Sequence, residues 1–402
     1  MQDHIGTHML PEAYRGGREH SYIKHQLLEH YLEKLFLIVG MGAEQLGIRE
    51  LAYVDCCAGP WGVEGDALDS TSIAISLRVL ARCRQTLMQQ GRNLRFRALY
   101  IEKEPEPFGR LKRYLAERKH DGIDAEPLQG GFADLCPAIL EWGQTDSFVF
   151  FFIDPTQWTP VSVEVLRPLL ERANSEFLIN FMYDFISRAA SMIGTQPAIE
   201  LLLGESPNVE NLHGAKREKA LLDLYRLNLK KLMPGTKQRP ARSAYVRVLD
   251  PEKNRPKYHL VYLTTHPRGI VEFMEISGKL DLVQKRVRAE THQRHRADKT
   301  KTGELFTSDE IINDEEGHVG TEEVERFWLN RLSGEPQRIG FAEFADMLEK
   351  TDWFPNDFQR ALKSLIAGKL VRNCDAPRSW LRPKRPLHYK DGERLQLIKE
   401  GK

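Results

Sequence analysis

At 402 residues the chain is too long for one ordinary domain, and about 150 residues per domain divides it into two or three. Its 58 Lys and Arg against 57 Asp and Glu leave a formal net charge of +1, so no global field selects a partner and any charge selectivity has to be local. Hydrophobic residues are 41% of the chain, enough for a sizeable core, yet no run reaches the roughly 18 consecutive apolar residues of a membrane span, and an integral membrane protein is not expected.

Five cysteines, Cys56, Cys57, Cys83, Cys136 and Cys374, show no C-x-x-C spacing and are odd in number, which reads as reduced thiols in a cytoplasmic protein. No charged segment followed by an apolar one opens the chain, so no secretory leader is expected. Residues 1–9, with Gly6-Thr7-His8-Met9, read as a tag remnant and are set aside.

In chain order, the first periodic segment is 24–40, where Leu27, Leu28, Tyr31, Leu32, Leu35 and Phe36 recur at helical spacing. This predicts an amphipathic helix against the sheet that follows. Five short apolar runs come next, at 51–55, 96–102, 125–128, 148–154 and 176–181. Continuous rather than alternating runs mark strands covered on both faces, as in parallel sheets flanked by helices. Runs 243–249 and 258–265 are separated only by Asp250-Pro251-Glu252-Lys253-Asn254-Arg255-Pro256, too short for a crossover helix, and predict an antiparallel hairpin. The fold class is therefore α/β, an open doubly wound, Rossmann-like sheet of seven mostly parallel strands.

From 270 to about 298 the pattern is helical and then basic, with Lys285, Arg286, Arg288, Arg294 and Arg296, and an acidic stretch at 309–323 follows as a surface linker. A small second domain begins near Glu322. Phe341, Phe344, Met347 and Leu348 share helical spacing, as do Phe358, Leu362, Leu365 and Ile366, with Gly368 ending the second helix. Residues 370–372 and 380–382 read as two strands of a wing, giving a winged-helix order.

Strand one ends in Asp55-Cys56-Cys57-Ala58-Gly59-Pro60-Trp61-Gly62. The turn after the first strand of a nucleotide-binding sheet runs against the ligand, and glycine is needed where a Cβ would collide. Asp55, Ala58, Gly59, Pro60 and Gly62 are the candidates there, although an ordinary Gly-Pro loop accounts for the same residues. Strand two ends in Glu102-Lys103, where a carboxylate can accept from both hydroxyls of a ribose. Phe132 and Asp134, after strand three, stand where an adenine is contacted, and Asp134 equally suits a helix first turn.

The strongest signal is Phe150-Phe151-Phe152-Ile153-Asp154-Pro155-Thr156-Gln157-Trp158. A central apolar strand that delivers Asp-Pro to its C-terminal edge, with an aromatic close behind, places a carboxylate and a π-face in the crevice where open α/β sheets bind ligands. Asp154 suits an amino or hydroxyl acceptor and Trp158 suits stacking on a base. Asn180, Tyr183 and Asp184 end the next strand toward the same edge. The bland reading of Asp-Pro is a turn or helix cap. No histidine spacing suits a metal.

In the last segment Arg360, Lys363, Lys369, Arg372, Arg382, Lys384 and Arg385 mingle with Trp380 and Tyr389, the clustering that phosphate contact requires. A solvated face or a protein-docking module has the same composition.

The order of motifs resembles the bacterial three-Cys-motif partner (TcmP) family, whose fold is that of class I S-adenosylmethionine-dependent methyltransferases. The resemblance runs over roughly residues 20 to 290. It rests on Lys24-His25, Tyr53-Val54-Asp55 with Ala58-Gly59-Pro60, Ile101-Glu102-Lys103, Gly131-Phe132-Ala133-Asp134, Phe152-Ile153-Asp154-Pro155 with Trp158, and Asn180-Phe181-Met182-Tyr183-Asp184-Phe185. It departs from the family at Cys56-Cys57 and at Thr156-Gln157. What it implies is a methyltransferase-like domain at 21–290, S-adenosylmethionine as cofactor, and a partner protein with three cysteines that is a radical-adenosylmethionine or iron–sulfur protein. Residues 1–20 are then a tail, 291–321 a linker and 322–402 a winged-helix-like domain. The expected function is methyl transfer to nucleic acid, DNA or RNA. The alternatives are a catalytically silent nucleic-acid-binding adaptor and a methyltransferase for a protein or small molecule.

Overall fold

The computed structural model describes residues 10–16, 18–59, 70–117, 121–192, 194–253, 255–300, 319–376 and 385–398. The expectations at Pro60, Gly62, Arg382 and Lys384 lie outside the described residues. The chain forms two compact units, His8–Thr265 and His266–Lys402.

The first unit opens with α1 (Glu19–Leu46), longer at both ends than the predicted helix and closed by Gly47 in the left-handed region at φ 67°. Then follow β1 (Glu50–Asp55), α2 (Ser72–Gln89), β2 (Arg95–Glu102), α3 (Pro105–Glu117), β3 (Asp124–Gln129), α4 (Phe132–Trp142), β4 (Ser147–Ile153), α5 (Val163–Leu170) and β5 (Ser175–Phe181). Helices α6 (Tyr183–Ala189), α7 (Gln196–Leu203) and α8 (Gly214–Leu232) lead to the hairpin β6 (Arg242–Leu249) and β7 (Pro256–Thr264). The strands form one sheet in the order β3-β2-β1-β4-β5-β7-β6, parallel except for β7, which pairs antiparallel with both β5 and β6.

Each run predicted as a strand in this unit is one, and burial explains why. All residues of β1, β4 and β5 are buried. On one face Phe151 stacks on Phe177 with centroids 5.0 Å apart. On the other, Tyr31 of α1 meets Phe150, and Phe36 sits against Phe96 and Phe148. Each such side chain contributes about 1.5–3 kcal/mol on leaving water, so α1 belongs to the core and is no appendage. Strand β3, at the sheet edge, is only half-buried and tolerates Pro127. Beneath the sheet, the fully buried Glu176 carboxylate accepts from Tyr262 (2.6 Å), Thr264 (2.7 Å) and Tyr31 (3.1 Å).

The second unit holds α9 (Pro267–Thr300), α10 (Thr321–Arg331), β8 (Gln337–Ile339), α11 (Phe341–Thr351), α12 (Pro355–Ala367), β9 (Val371–Asn373) and β10 (Glu393–Leu397). Helix α9 runs through 291–300, where the charge pattern suggested a linker, because Gln293, Arg294, Arg296, Ala297 and Lys299 are good helix formers and no Gly or Pro falls in this stretch. Its apolar residues Phe273, Met274 and Ile276 are buried. The core closes with Trp328 Nε1 donating to the Phe358 carbonyl (3.1 Å) and Phe344 stacking on Tyr389. The ribbon differs from expectation. Strand β9 pairs with β10, with Leu395 opposite Asn373, whereas 380–382 lie outside the described residues. Strand β10 inserts between β8 and β9, which satisfies its backbone on both sides. Among the described residues no helix is long and apolar enough to cross a membrane.

Candidate functional site

Strand β1 lies between β2 and β4, and the chain builds the sheet outward in opposite directions from this pair. Asp55 is level with Tyr100 of β2 and Phe152 of β4, so the C-terminal edges of all three open on one crevice. This is the topological switch point, where loops diverge and leave room for a ligand.

On the β1 side the chain turns sharply. Cys56 N donates to the Phe152 carbonyl (2.9 Å) and Ala58 N to that of Ile101 (2.8 Å), which ties the turn to both neighbours. Asp55 accepts from Cys57 N (3.2 Å) and Ser72 Oγ (2.8 Å). It is fully buried, and desolvation pushes its carboxyl up to about 6 although these two hydrogen bonds act in the opposite sense. The structure thus places Asp55 beneath the turn, shaping it, rather than in the crevice. Ala58 is likewise buried.

Gly59 meets Glu102 directly. A Cβ built on Gly59 would stand 1.7 Å from Glu102 Oε2, so only glycine allows the carboxylate to rest on this turn. Glu102 is 7% exposed, and its Oε1 accepts from Glu104 N at 2.7 Å. Lys103 is exposed. After β3, Gly130 N donates to the Glu102 carbonyl (3.0 Å), Phe132 is buried in the core, and Asp134 is exposed in the first turn of α4, its amide bonded to the Gly131 carbonyl.

On the β4 side, Asp154 is bonded on both oxygens. Lys24 Nζ pairs with Oδ2, and Asn180 Nδ2 donates to Oδ1 at 2.8 Å. The side chains of Lys24 and Asp154 are 12% and 16% exposed, so the pair is largely withdrawn from water. Asn180 Oδ1 is buried without a partner among the described residues, at a cost of about 1–3 kcal/mol in the absence of a ligand. The Cys57 sulfur accepts from the Asp154 amide, and burial pushes its thiol up, so it stays protonated and no nucleophile.

Helix α1 supplies more than Lys24. The Tyr258 ring lies 5.9 Å from the Lys24 ammonium, and its hydroxyl donates to the His20 carbonyl (2.9 Å). Lys257 Nζ is 3.1 Å from His20 Nδ1, and burial together with Lys257 and Lys24 pushes His20 down to about 4. The Tyr14 hydroxyl bonds His25 Nδ1 (3.0 Å) and the Ser70 carbonyl (3.1 Å). Burial pushes His25 down to about 3.

The remaining candidates separate. Trp158 is half-buried and leads into the short turn Thr159–Val161. Tyr183 stands edge-on to the buried His259 ring at 5.4 Å. Asp184 is ion-paired with Arg255 (2.7 Å) and Arg188 (3.3 Å) and makes no bond to Asp154. In the second unit Arg360 reaches Thr321 Oγ1, the Val319 carbonyl and Asp357. Arg372 bonds Gln396 and Arg385 pairs with Glu275. Lys363 and Lys369 are exposed.

Lys24 was not among the residues singled out for chemistry. The signal was there: it lies three, four and seven residues before Leu27, Leu28 and Tyr31, so a charge falls on the apolar stripe that faces the sheet.

A seven-stranded sheet in the order 3-2-1-4-5-7-6 with strand 7 reversed, and a glycine turn and acidic strand end beside its switch point, define the class I methyltransferase fold. No protein-family model matches the chain, and no curated protein is similar to it. Among solved structures, the O-methyltransferase from Bacillus cereus in complex with SAH matches at 12% identity, over 64% of this chain and 83% of that one, with a TM-score of 0.30. A DUF574 family protein from Streptomyces avermitilis matches at 13% identity over 64% and 93%, with a TM-score of 0.31. Protein LPL1258 from Legionella pneumophila, of family DUF519, matches at 10% identity over 60% and 85%, with a TM-score of 0.33.

Proposed function

We propose that the first unit is an S-adenosylmethionine-dependent methyltransferase acting on nucleic acid. The observation that carries this reading is the seating of the Glu102 carboxylate on Gly59 at the switch point, with Asp154 across the crevice. Glu102 is set to accept from two ribose hydroxyls, Asp134 to meet the adenine, and Asp55 and Ala58 to hold the turn in shape. When bound, S-adenosylmethionine supplies a methyl group on a positively charged sulfur. The protein's own part is positioning: Asp154 holds the acceptor in line and takes its proton, and Trp158 offers a ring for stacking. Calorimetry with S-adenosylmethionine and S-adenosylhomocysteine tests it. Micromolar binding that weakens in Glu102→Ala and persists in Asp154→Ala, with transfer lost in the latter, is expected; no binding of either compound refutes it.

The second unit is read as a winged helix. Its support is the order helix, strand, two helices, two strands, with sheet order β8-β10-β9. Lys363 and Lys369 on and after α12 are its candidate phosphate contacts. A second reading, docking of a protein such as an iron–sulfur or radical-adenosylmethionine partner, is favoured by the engagement of Arg360, Arg372 and Arg385 with internal partners. Duplex DNA binding that falls steeply with salt supports the first, and salt-indifferent or absent binding supports the second.

A further inference from the structure

We propose that the group methylated is a primary amine on a planar ring, a nucleobase exocyclic amino group, and that Lys24 is the positioning residue that imposes this choice. The inference rests on the methyltransferase reading above and deepens it.

The chemistry of the Asp154 site is one-sided. Lys24 is ion-paired with one carboxylate oxygen, and a carboxylate so paired accepts hydrogen bonds and donates none. The Asn180 amide is oriented by the same carboxylate, since its Nδ2 donates to Oδ1; a flipped amide would set oxygen against oxygen. Its own Oδ1 is therefore a second acceptor, buried and unpartnered among the described residues. Two fixed acceptors one amide apart match a donor with two hydrogens on one atom. A hydroxyl satisfies one of them, and a ring carbonyl meets both as a like dipole. The half-buried Trp158, four residues beyond Asp154, supplies the planar surface. On transfer, the nitrogen lone pair forms the new N–C bond, the S–C bonding pair stays on sulfur, and one N–H proton passes to the Asp154 carboxylate. Atoms and charge balance without another reactant.

Lys24 acts through Asp154, so its removal has a particular signature. Without the ammonium Asp154 loses the ion pair that fixes Oδ2, and the carboxylate is free to turn away from Asn180, so the two acceptors no longer stand together. The test is direct binding to the full-length protein saturated with S-adenosylhomocysteine, read by calorimetry and saturation-transfer NMR. The probes are adenosine and cytidine, each against inosine and uridine, in which a carbonyl replaces the amine. Wild-type protein is expected to prefer the amino member of each pair by at least about tenfold. Lys24→Met is expected to bind S-adenosylhomocysteine as wild type does while losing most of this preference. Lys24→Arg restores the preference. Failure of S-adenosylhomocysteine to bind removes the methyltransferase reading. Its binding with no amino-over-carbonyl preference, with no nucleoside bound, or with a preference unchanged in a folded Lys24→Met overturns the inference drawn here.

Discussion

Replacing Gly59 by alanine should disable cofactor binding through a residue that alanine does not itself replace. The new Cβ would lie 1.7 Å from Glu102 Oε2 and 2.8 Å from its carboxyl carbon, so the carboxylate has to move by more than an ångström. It has little freedom to do so, being 7% exposed and held by the Glu104 amide at 2.7 Å. If Glu102 accepts from the ribose, the hydrogen bonds to its charge contribute about 1.5–3 kcal/mol, and their loss weakens binding roughly 10- to 150-fold. Gly59→Ala and Glu102→Ala should then fall in the same range. In the double variant the alanine has no carboxylate to displace, and binding should be no weaker than in Glu102→Ala alone. Calorimetry with S-adenosylhomocysteine on the four proteins measures the cycle, with thermal melts to establish that each is folded. Wild-type affinity in Gly59→Ala, or additive losses in the double variant, would refute the reasoning.

Glu176 is raised from 4.5 to about 7 by full burial, so the stability it contributes is present below pH 4.5 and lost as pH rises to about 7, a difference of about 3 kcal/mol. Glu176→Gln should therefore gain on wild type by about that amount between pH 4.5 and 8 in urea titrations read by hydrogen exchange of β5; an equal gap at both pH values counts against the assignment. His25 has the opposite sign: lowered from 6.5 to about 3, it supports the fold above pH 6.5 and loses about 2–3 kcal/mol by pH 4.5. His25→Gln should flatten that acid-side slope in the same assay, and an unchanged slope would exclude the burial of a neutral imidazole as its cause. Arg360→Ala should lower the melting temperature of the second unit and leave DNA affinity unchanged, because its contacts are internal. Lys363→Ala should instead weaken DNA binding at every sequence and reduce the salt slope by about one, and the reverse pattern would exchange their roles.

The sheet was legible because its strands are continuous apolar runs whose connections are either long enough for a helix or too short for one. Nothing else is needed to place seven strands and pair the last two antiparallel. The catalytic edge was legible in part. Asp154 and Glu102 declare themselves as charges at the ends of buried strands, but Asp55, with the same signature, is turned under by Ser72 and Cys57. Which way a strand-end carboxylate points depends on a residue 17 positions away, and no local pattern carries that. The partners of Asp184 are hidden for a similar reason, since Arg255 arrives from the distant hairpin. In the second unit the strand at 393–397 escaped the sequence reading because its pairing with β8 and β9 joins segments far apart in the chain, whereas 380–382 lie outside the described residues.

These placements divide the crevice by charge. On the β1 and β2 side the buried Asp55 is taken up by Cys57 N and Ser72 and serves the turn, which leaves the Glu102 carboxylate as the acceptor resting on the glycine turn. On the β4 and β5 side the ammonium of Lys24 balances Asp154, so that half carries no net charge before an acceptor arrives. On the proposed reading a cationic sulfonium would meet acceptors here, and no cation other than Lys24 is bonded to either Glu102 or Asp154 among the described residues. Lys24 comes from α1, outside the alternating strand–helix units. The helix that completes the hydrophobic core through Tyr31 and Phe36 is therefore the same element that carries the cation paired with Asp154, and a substitution loosening its packing should disturb that pair and stability together.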